Sequence, residues 1–125
     1  MREFMLYVRN AGDAKIALTA EKHLSFVTEC EHYIGSLRAA GHLIAAQPLV
    51  RGGSLLKKEA GGWKTLALDP EGEIHVGYYH LQARDEAEAI SLARGNPEFA
   101  YVPSASVEIH EIKTKEEETG FEYPR

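Results

Sequence analysis

Alternation of apolar and polar residues predicts strands along much of the chain. The stretch EFMLYVR, which the turn cluster NAGD follows, predicts a first strand over residues 3–9. Near the other end, ASVEIHEIK alternates cleanly and predicts a last strand. Between them, EIHVGYYHLQA predicts a central strand, and HLIAAQPLV predicts a shorter one that stops near Pro48.

Two segments carry the spacing of amphipathic helices. The longer one, TAEKHLSFVTECEHYIGSLRAAG, has Thr19 as a plausible N-cap and Gly41 where a left-handed residue closes a helix. The shorter one follows Asp85, has Glu88 at the capping-box spacing, and ends at Gly95-Asn96-Pro97. The apolar face of the long helix comprises Phe26, Val27, Cys30, Tyr33, Ile34 and Leu37.

The order of these elements predicts the fold class. SLLKKE and WKTLALD flank Ala60-Gly61-Gly62, which indicates a β-hairpin because glycine accepts positive φ. Without this hairpin the order is βαββαβ, so we predict an α+β fold, a ferredoxin-like sandwich with helices on one face of the sheet. The other face would stay bare, which favours a homodimer. The domain spans residues 1–113, and residues 114–125 form a polar tail that we expect to be mobile or attached to a neighbouring subunit through Phe121 and Tyr123.

Side-chain parity assigns residues to the two faces of the predicted sheet. The apolar face, under the helices, comprises Phe4, Leu6, Val8, Gly77, Tyr79, Leu81, Ala83, Val107 and Ile109. We expect Gly77 to permit close approach of a helix. The opposite, polar-aromatic face comprises Arg9, Tyr78, His80, Glu108 and His110. His75 has the parity of the apolar face, so it points away from His80 unless a bulge intervenes.

Composition narrows the classes of function. The chain has 125 residues, 44% hydrophobic and 26% charged, which is typical of one folded domain. A formal charge of −5 argues against a nucleic-acid partner held through its phosphates. No apolar run reaches the roughly 20 residues that span a bilayer, and Cys30 is the single cysteine. We therefore expect a cytoplasmic protein.

Several polar residues are candidates for chemistry, each with a structural alternative. His80 could act as a general base, or it could be a strand histidine paired with Glu108 or Tyr78 at a dimer interface. Asp69 could be an acid or base, or the turn residue before Pro70. His23 could be catalytic or a partly buried structural histidine.

Metal and cofactor chemistry receive no assignment. His80, His110 and Glu108 have the ligand types that suit zinc or iron, but nothing in their spacing requires a site. Cys30 lies on an apolar helix face, where a core role is favoured over a nucleophile. We assign no metal and no cofactor.

Five segments of the chain follow one another in a recognisable order: REFMLYVRN, LRAAGHL, VGYYHLQA, DEAEAISLARGNP and VEIHEI. In this order they resemble the YCII-related family, in its DGPF-domain branch, over residues 1–113. The resemblance implies a ferredoxin-like unit that dimerises into an α+β barrel. It also implies chemistry on small molecules, since some members act on them, one as a dehydrochlorinase of a chlorinated hydroquinone. Some members occur beside sigma factors.

The resemblance also implies a site. The YCII branch pairs a histidine on the first helix with an aspartate in the loop before the central strand. Asp69 of DPEG lies near the place of that aspartate, although the order of Pro and Gly differs. The histidine position falls at Cys30, and His23 lies two turns earlier on the same helix face.

Three functions stay open at this point. One is an enzyme of the lyase or isomerase type, in which His80 or His23 moves a proton, Asp69 orients it and Arg9 attracts an anionic group. Another is a non-catalytic or regulatory dimer, and the third is a surface that serves only dimerisation. We favour a dimer that binds a small planar or anionic metabolite. The predicted site comprises His23, Asp69 and His80 as catalytic residues, with Arg9, Tyr78, Glu108 and His110 as ligand-binding residues.

Overall fold

The computed structural model describes residues 1–13 and 18–125 and has an α+β fold. A four-stranded sheet has the order β2-β5-β1-β6, with antiparallel neighbours throughout, and β3 and β4 form a separate two-stranded sheet. The elements are β1 (Arg2–Asn10), α1 (Ala20–Ala39), β2 (Leu43–Pro48), β3 (Ser54–Glu59), β4 (Gly62–Ala67), β5 (Ile74–Ala83), α2 (Glu86–Ala93), α3 (Glu98–Tyr101) and β6 (Ser106–Glu111).

The core lies between the helices and one face of the four-stranded sheet. β1 occupies the centre, between β5 and β6, and alternates between buried and partly buried side chains along most of its length. The predicted parity of β1 and β5 is confirmed, because the apolar residues of both strands are buried together with α1 and α2 side chains. The buried core cluster comprises Phe4, Leu6, Val8, Leu37, Tyr79, Leu81, Ala83, Ala89 and Ala93.

The helix ends confirm the predicted caps. The Thr19 hydroxyl oxygen accepts a hydrogen bond from the Lys22 N–H at 3.3 Å. The Asp85 carboxylate accepts one from the Glu88 N–H at 2.9 Å. Gly41 has φ 79°, the left-handed conformation that closes α1. In the described ranges, 1–13 and 18–125, no helix is long and apolar enough to cross a membrane.

Two local features differ from the sequence-based prediction. In β5, Val76 is the additional residue of a bulge, because Val8 pairs with Gly77 and Arg9 pairs with His75. The bulge changes the parity, so His75 lies on the same face as His80. A Cβ on Gly77 would lie 3.3 Å from the Gln47 carbonyl oxygen, so the close approach at this glycine is to β2 and not to a helix.

The β3–β4 hairpin stands out from the main sheet. The prediction of a hairpin at this position is confirmed, and Gly62, the first residue after its turn, has φ 117°. Both faces of the hairpin are exposed, including Trp63, which is 69% exposed beneath the Lys58 ammonium. Isolated two-stranded hairpins are marginally stable in water. This segment therefore depends on its turn and cross-strand pairs.

The C-terminal tail is folded back on the domain instead of extending away from it. Lys115 and Glu122 form an isolated bridge, and the Tyr123 hydroxyl donates to the Glu116 carboxylate at 2.8 Å. Arg125 then reaches the Glu3 carboxylate of its own chain at 2.7 Å. The sequence predicts a tail that is mobile or attached to a neighbouring subunit, and here the last residue is joined to Glu3 of its own chain by a charged hydrogen bond. The mobility of the tail stays a prediction.

Truncation of Leu81 should destabilise the protein far more than truncation of an exposed leucine. Leu81 is 0% exposed at the centre of the core, whereas Leu24 on α1 is 69% exposed. We expect Leu81→Ala to lower the free energy of unfolding by about 2–5 kcal/mol, because it leaves a cavity. Leu24→Ala should change it by no more than about 0.5 kcal/mol. Urea denaturation of both variants measures the difference, and equal effects would contradict this placement of the core.

Candidate functional site

An apolar cavity of about 530 Å³ lies between α1 and the sheet. Phe26, Val27 and Ile34 from α1 form one wall, and Val8 and Gly77 from the sheet lie on the other side. The volume falls within the range of small-molecule sites, which is roughly 300–1,000 Å³. The cavity thus has the size and the lining of a site for a small apolar molecule.

Polar groups concentrate at one end of this cavity. Asn10, Asn96 and Glu98 line it, and Glu98 is 9% exposed. The Asn10 amide donates from Nδ2 to Glu98 Oε2 at 2.6 Å. The Glu98 N–H donates to Asn96 Oδ1 at 2.9 Å, which fixes the start of α3. One carboxylate is therefore held in place beside apolar surface.

Arg51 supports this polar end from outside the cavity. Its guanidinium donates to Asn10 Oδ1 and to the Pro70 carbonyl oxygen, and a longer bond reaches the Gly72 carbonyl oxygen at 3.3 Å. Arg51 therefore ties the end of β1 to the loop that precedes β5. The position of Asn10, and through it that of Glu98, depends on this clamp.

Burial changes the acidity of the groups beside the cavity. Desolvation raises the pKa of Glu98, although the hydrogen bond from Asn10 opposes the change. Burial, together with the negative charge of Glu98, raises the pKa of Cys30 to about 11. The Cys30 thiol is consequently protonated at neutral pH, which agrees with the core role expected for it.

The open face of the sheet carries a second polar cluster, centred on Glu108. Its carboxylate contacts Arg9 at 3.0 Å, His75 at 3.1 Å and His110 at 2.9 Å. Hydrogen bonds from His110 and His75 hold the pKa of Glu108 below its usual value. Tyr7 packs against both imidazoles, with ring centroids 5.0 Å and 5.7 Å away. The Arg9 Nε is shielded from solvent and has no hydrogen-bond partner within residues 1–13 and 18–125.

His80 belongs to a third cluster, at the other end of the same face. Its Nε2 lies 2.8 Å from Glu3 Oε1, and the other oxygen of Glu3 accepts from Arg125. The hydrogen bond from Arg125, with a smaller one from His80, holds the pKa of Glu3 below its usual value despite burial. The two histidines of the central strand therefore share a face but bind different carboxylates.

The structure separates the three residues predicted to be catalytic. His23 lines the cavity on the helix side, whereas His80 lies on the open face, so the sheet stands between them. Asp69 accepts from the Glu71 N–H at 2.9 Å as an exposed turn residue. His80 lies six residues beyond the start of β5, roughly 20 Å along the strand, so the Asp69 loop is far from it. No hydrogen bond or ion pair joins His23 to Asp69 in the described part of the chain.

The residues predicted to bind a ligand divide between the same regions. Arg9, Glu108 and His110 meet on the open face, while Tyr78 pairs with Tyr7 in the middle of it. His80 is outside this group, since it is bound to Glu3. Among residues 1–13 and 18–125, no three His, Cys, Asp or Glu side chains are arranged to hold a metal ion.

Sequence reasoning missed Glu98, because a buried carboxylate has no signature of its own. A weaker signal was present in the run Asn-Pro-Glu at residues 96–98. A proline at a helix start with an acidic residue after it is typical of a first turn, and α3 begins there. Neither a protein family model nor a curated protein sequence matches the chain.

Replacement of Glu98 by Gln should change how stability depends on pH. Because the folded-state pKa of Glu98 is raised, its protonated form favours folding, and this contribution is lost as pH rises from about 4.5 through the folded-state pKa. The Glu98→Gln variant has no carboxyl group at this position and does not lose stability in this way. Its free energy of unfolding should therefore rise relative to that of the wild type as pH increases across this range. The rise is at most about 1.4 kcal/mol per pH unit. Urea titrations at several pH values measure it, with Glu31→Gln as an exposed control that should follow the wild type.

Proposed function

We propose that the protein binds a small planar, largely apolar molecule in the cavity between α1 and the sheet. The observation that carries the proposal is the cavity itself, about 530 Å³ in volume and lined mainly by apolar side chains. A few fixed polar groups at one end, Asn10, Asn96 and Glu98, suit the recognition of one polar edge of a ligand. This is the arrangement typical of metabolite sites.

The lining argues for a neutral or cationic ligand over an anionic one. The ionisable lining residues include Glu31 and Glu98, and neither lysine nor arginine is among the described lining residues. Arg9, which was expected to attract an anion, lies on the opposite face in contact with Glu108 and Glu73. An anion in the cavity would therefore meet two carboxylates without a compensating cation.

A bulky residue in the cavity wall should abolish binding of a planar probe. We expect naphthalene to bind the wild type and to bind Val27→Trp at least about tenfold more weakly, because the indole fills the space. Leu24→Trp is the matched control, since Leu24 is exposed on the same helix and does not line the cavity. Calorimetric or ligand-observed NMR titration measures the affinities. Equal affinity in all three proteins would place the site elsewhere.

We also propose that the chain is a ferredoxin-like unit that dimerises through the open face into an α+β barrel, as the resemblance to the YCII-related family implies. The strand order β2-β5-β1-β6 supports the ferredoxin-like assignment, because two interleaved βαβ units give this order. Dimerisation through the open face is supported by its partly buried side chains, Met5, Tyr7 and Tyr78. The paired charges around Glu108 allow two copies of this face to meet without a net excess of one sign.

A carboxylate at the centre of the open face should break the proposed dimer. Tyr7 lies opposite both Tyr78 and Glu108 in register, so Tyr7→Glu adds a like charge that dimerisation would bury. We expect native mass spectrometry to give a dimer for the wild type and a monomer for this variant. Leu56→Glu, on the exposed hairpin, should remain dimeric. A monomeric Leu56→Glu with a dimeric Tyr7→Glu would move the interface to the hairpin.

A further inference from the structure

Glu98 is the buried carboxylic acid of the cavity lining, and one of its two oxygens makes no hydrogen bond with the described residues. It is 9% exposed, and its Oε2 is occupied by the Asn10 amide. Within residues 1–13 and 18–125, Oε1 makes no hydrogen bond, yet the residue lines the cavity. Oε1 is not shielded from solvent, so a molecule in the cavity can reach it.

The neighbouring groups determine which oxygen can carry a proton. Arg51 has only donors, so the Asn10 atom that faces it must be the acceptor Oδ1. The Nδ2 of Asn10 therefore faces Glu98 and donates to Oε2. Because Oε2 already accepts a proton from Asn10, the proton of a neutral Glu98 resides on Oε1, on the side of the cavity.

The other ionisable groups near the cavity are less suited than Glu98 to exchange a proton with a ligand. The thiol of Cys30 has its pKa raised to about 11, and burial raises the pKa of Tyr79 as well, so both stay protonated at neutral pH. His23 and Glu31 are exposed, where water competes for their hydrogen bonds. The titratable residues that line the cavity are His23, Cys30, Glu31, Tyr78, Tyr79 and Glu98, and of these Tyr78 has its side chain on the open face of the sheet.

We infer that Glu98 exchanges a proton with the ligand and that the ligand class is a planar nitrogen base. This inference rests on the proposed function, because it needs a molecule in the cavity. The Oε1–H of neutral Glu98 donates to a ring nitrogen. On full transfer, that O–H bond breaks as the N–H bond forms, which leaves a carboxylate paired with the cationic ring. Asn10 then stabilises the new negative charge through Oε2.

Isoquinoline and naphthalene form a matched pair of probes for this inference. They have nearly the same shape, but only isoquinoline has a basic nitrogen, and its ultraviolet spectrum changes on protonation. We expect the wild type to bind isoquinoline about tenfold or more tightly than naphthalene, because a charge-assisted hydrogen bond is added. Bound isoquinoline should show the protonated spectrum at a pH at which the free compound is neutral.

Substitution of each carboxyl group of the cavity then locates the proton donor. In Glu98→Gln the preference for isoquinoline should fall below about threefold, and the bound probe should show the neutral spectrum. Its affinity for naphthalene should stay within about twofold of the wild type, because the cavity keeps its shape. Glu31→Gln and His23→Gln should both keep the protonated spectrum of bound isoquinoline, even where loss of the Glu31 charge lowers the affinity.

The two probes separate failure of this inference from failure of the proposed function. If naphthalene binds but isoquinoline gains nothing, or binds in its neutral form, Glu98 is not the proton donor while the cavity remains a ligand site. The same conclusion holds if the preference survives Glu98→Gln, or if bound isoquinoline shows the neutral spectrum in Glu31→Gln or His23→Gln. If neither probe binds the wild type, both proposals are wrong. A neutral spectrum of isoquinoline bound to the wild type overturns this inference even if Glu98→Gln does not fold.

Discussion

The pairing of β1 with β5 determines the face on which nearly every notable side chain lies. β1 contributes alternately to the core and to the open face, and β5 follows the same alternation up to its bulge. At the bulge, Val76 is the additional residue, so His75 turns towards Arg9 and Glu108. A single inserted position in one strand thereby brings His75 into the cluster on the open face. Without it, His75 would point towards the helices.

The second constraint is the polar contact that closes one end of the cavity. Asn10 ends β1, and its amide joins the Arg51 guanidinium to the Glu98 carboxylate. The bond to Arg51 fixes the orientation of the amide, since guanidinium groups offer no acceptor. The chain segments before β5 and around α3 are thus connected through one side chain. The same contact occupies Oε2 of Glu98 and leaves Oε1 without a hydrogen bond from the described residues.

The carboxylates of this protein illustrate how the surroundings determine acidity. Glu3 is also buried, but Arg125 and His80 bind it and hold its pKa low. Glu98 is buried with a neutral amide as its hydrogen-bonding partner, so desolvation outweighs the opposing effects of Asn10 and of the Arg51 charge, and its pKa rises. Residues of the same type therefore serve different purposes. One secures the chain terminus to the sheet, and the other is the group to which we assign proton exchange with a ligand.

The sequence by itself determined the local elements, because helix caps and alternation act over a few residues. Thr19, Asp85 and the hairpin glycines lie where expected, and so do the apolar faces of β1 and β5. Tertiary structure decided the rest. The bulge at Val76 depends on the register with β1, and the burial of Glu98 depends on Asn10, 88 residues away. Such contacts arise from packing between distant segments. Neither the periodicity nor the spacing of residues along the chain reveals them.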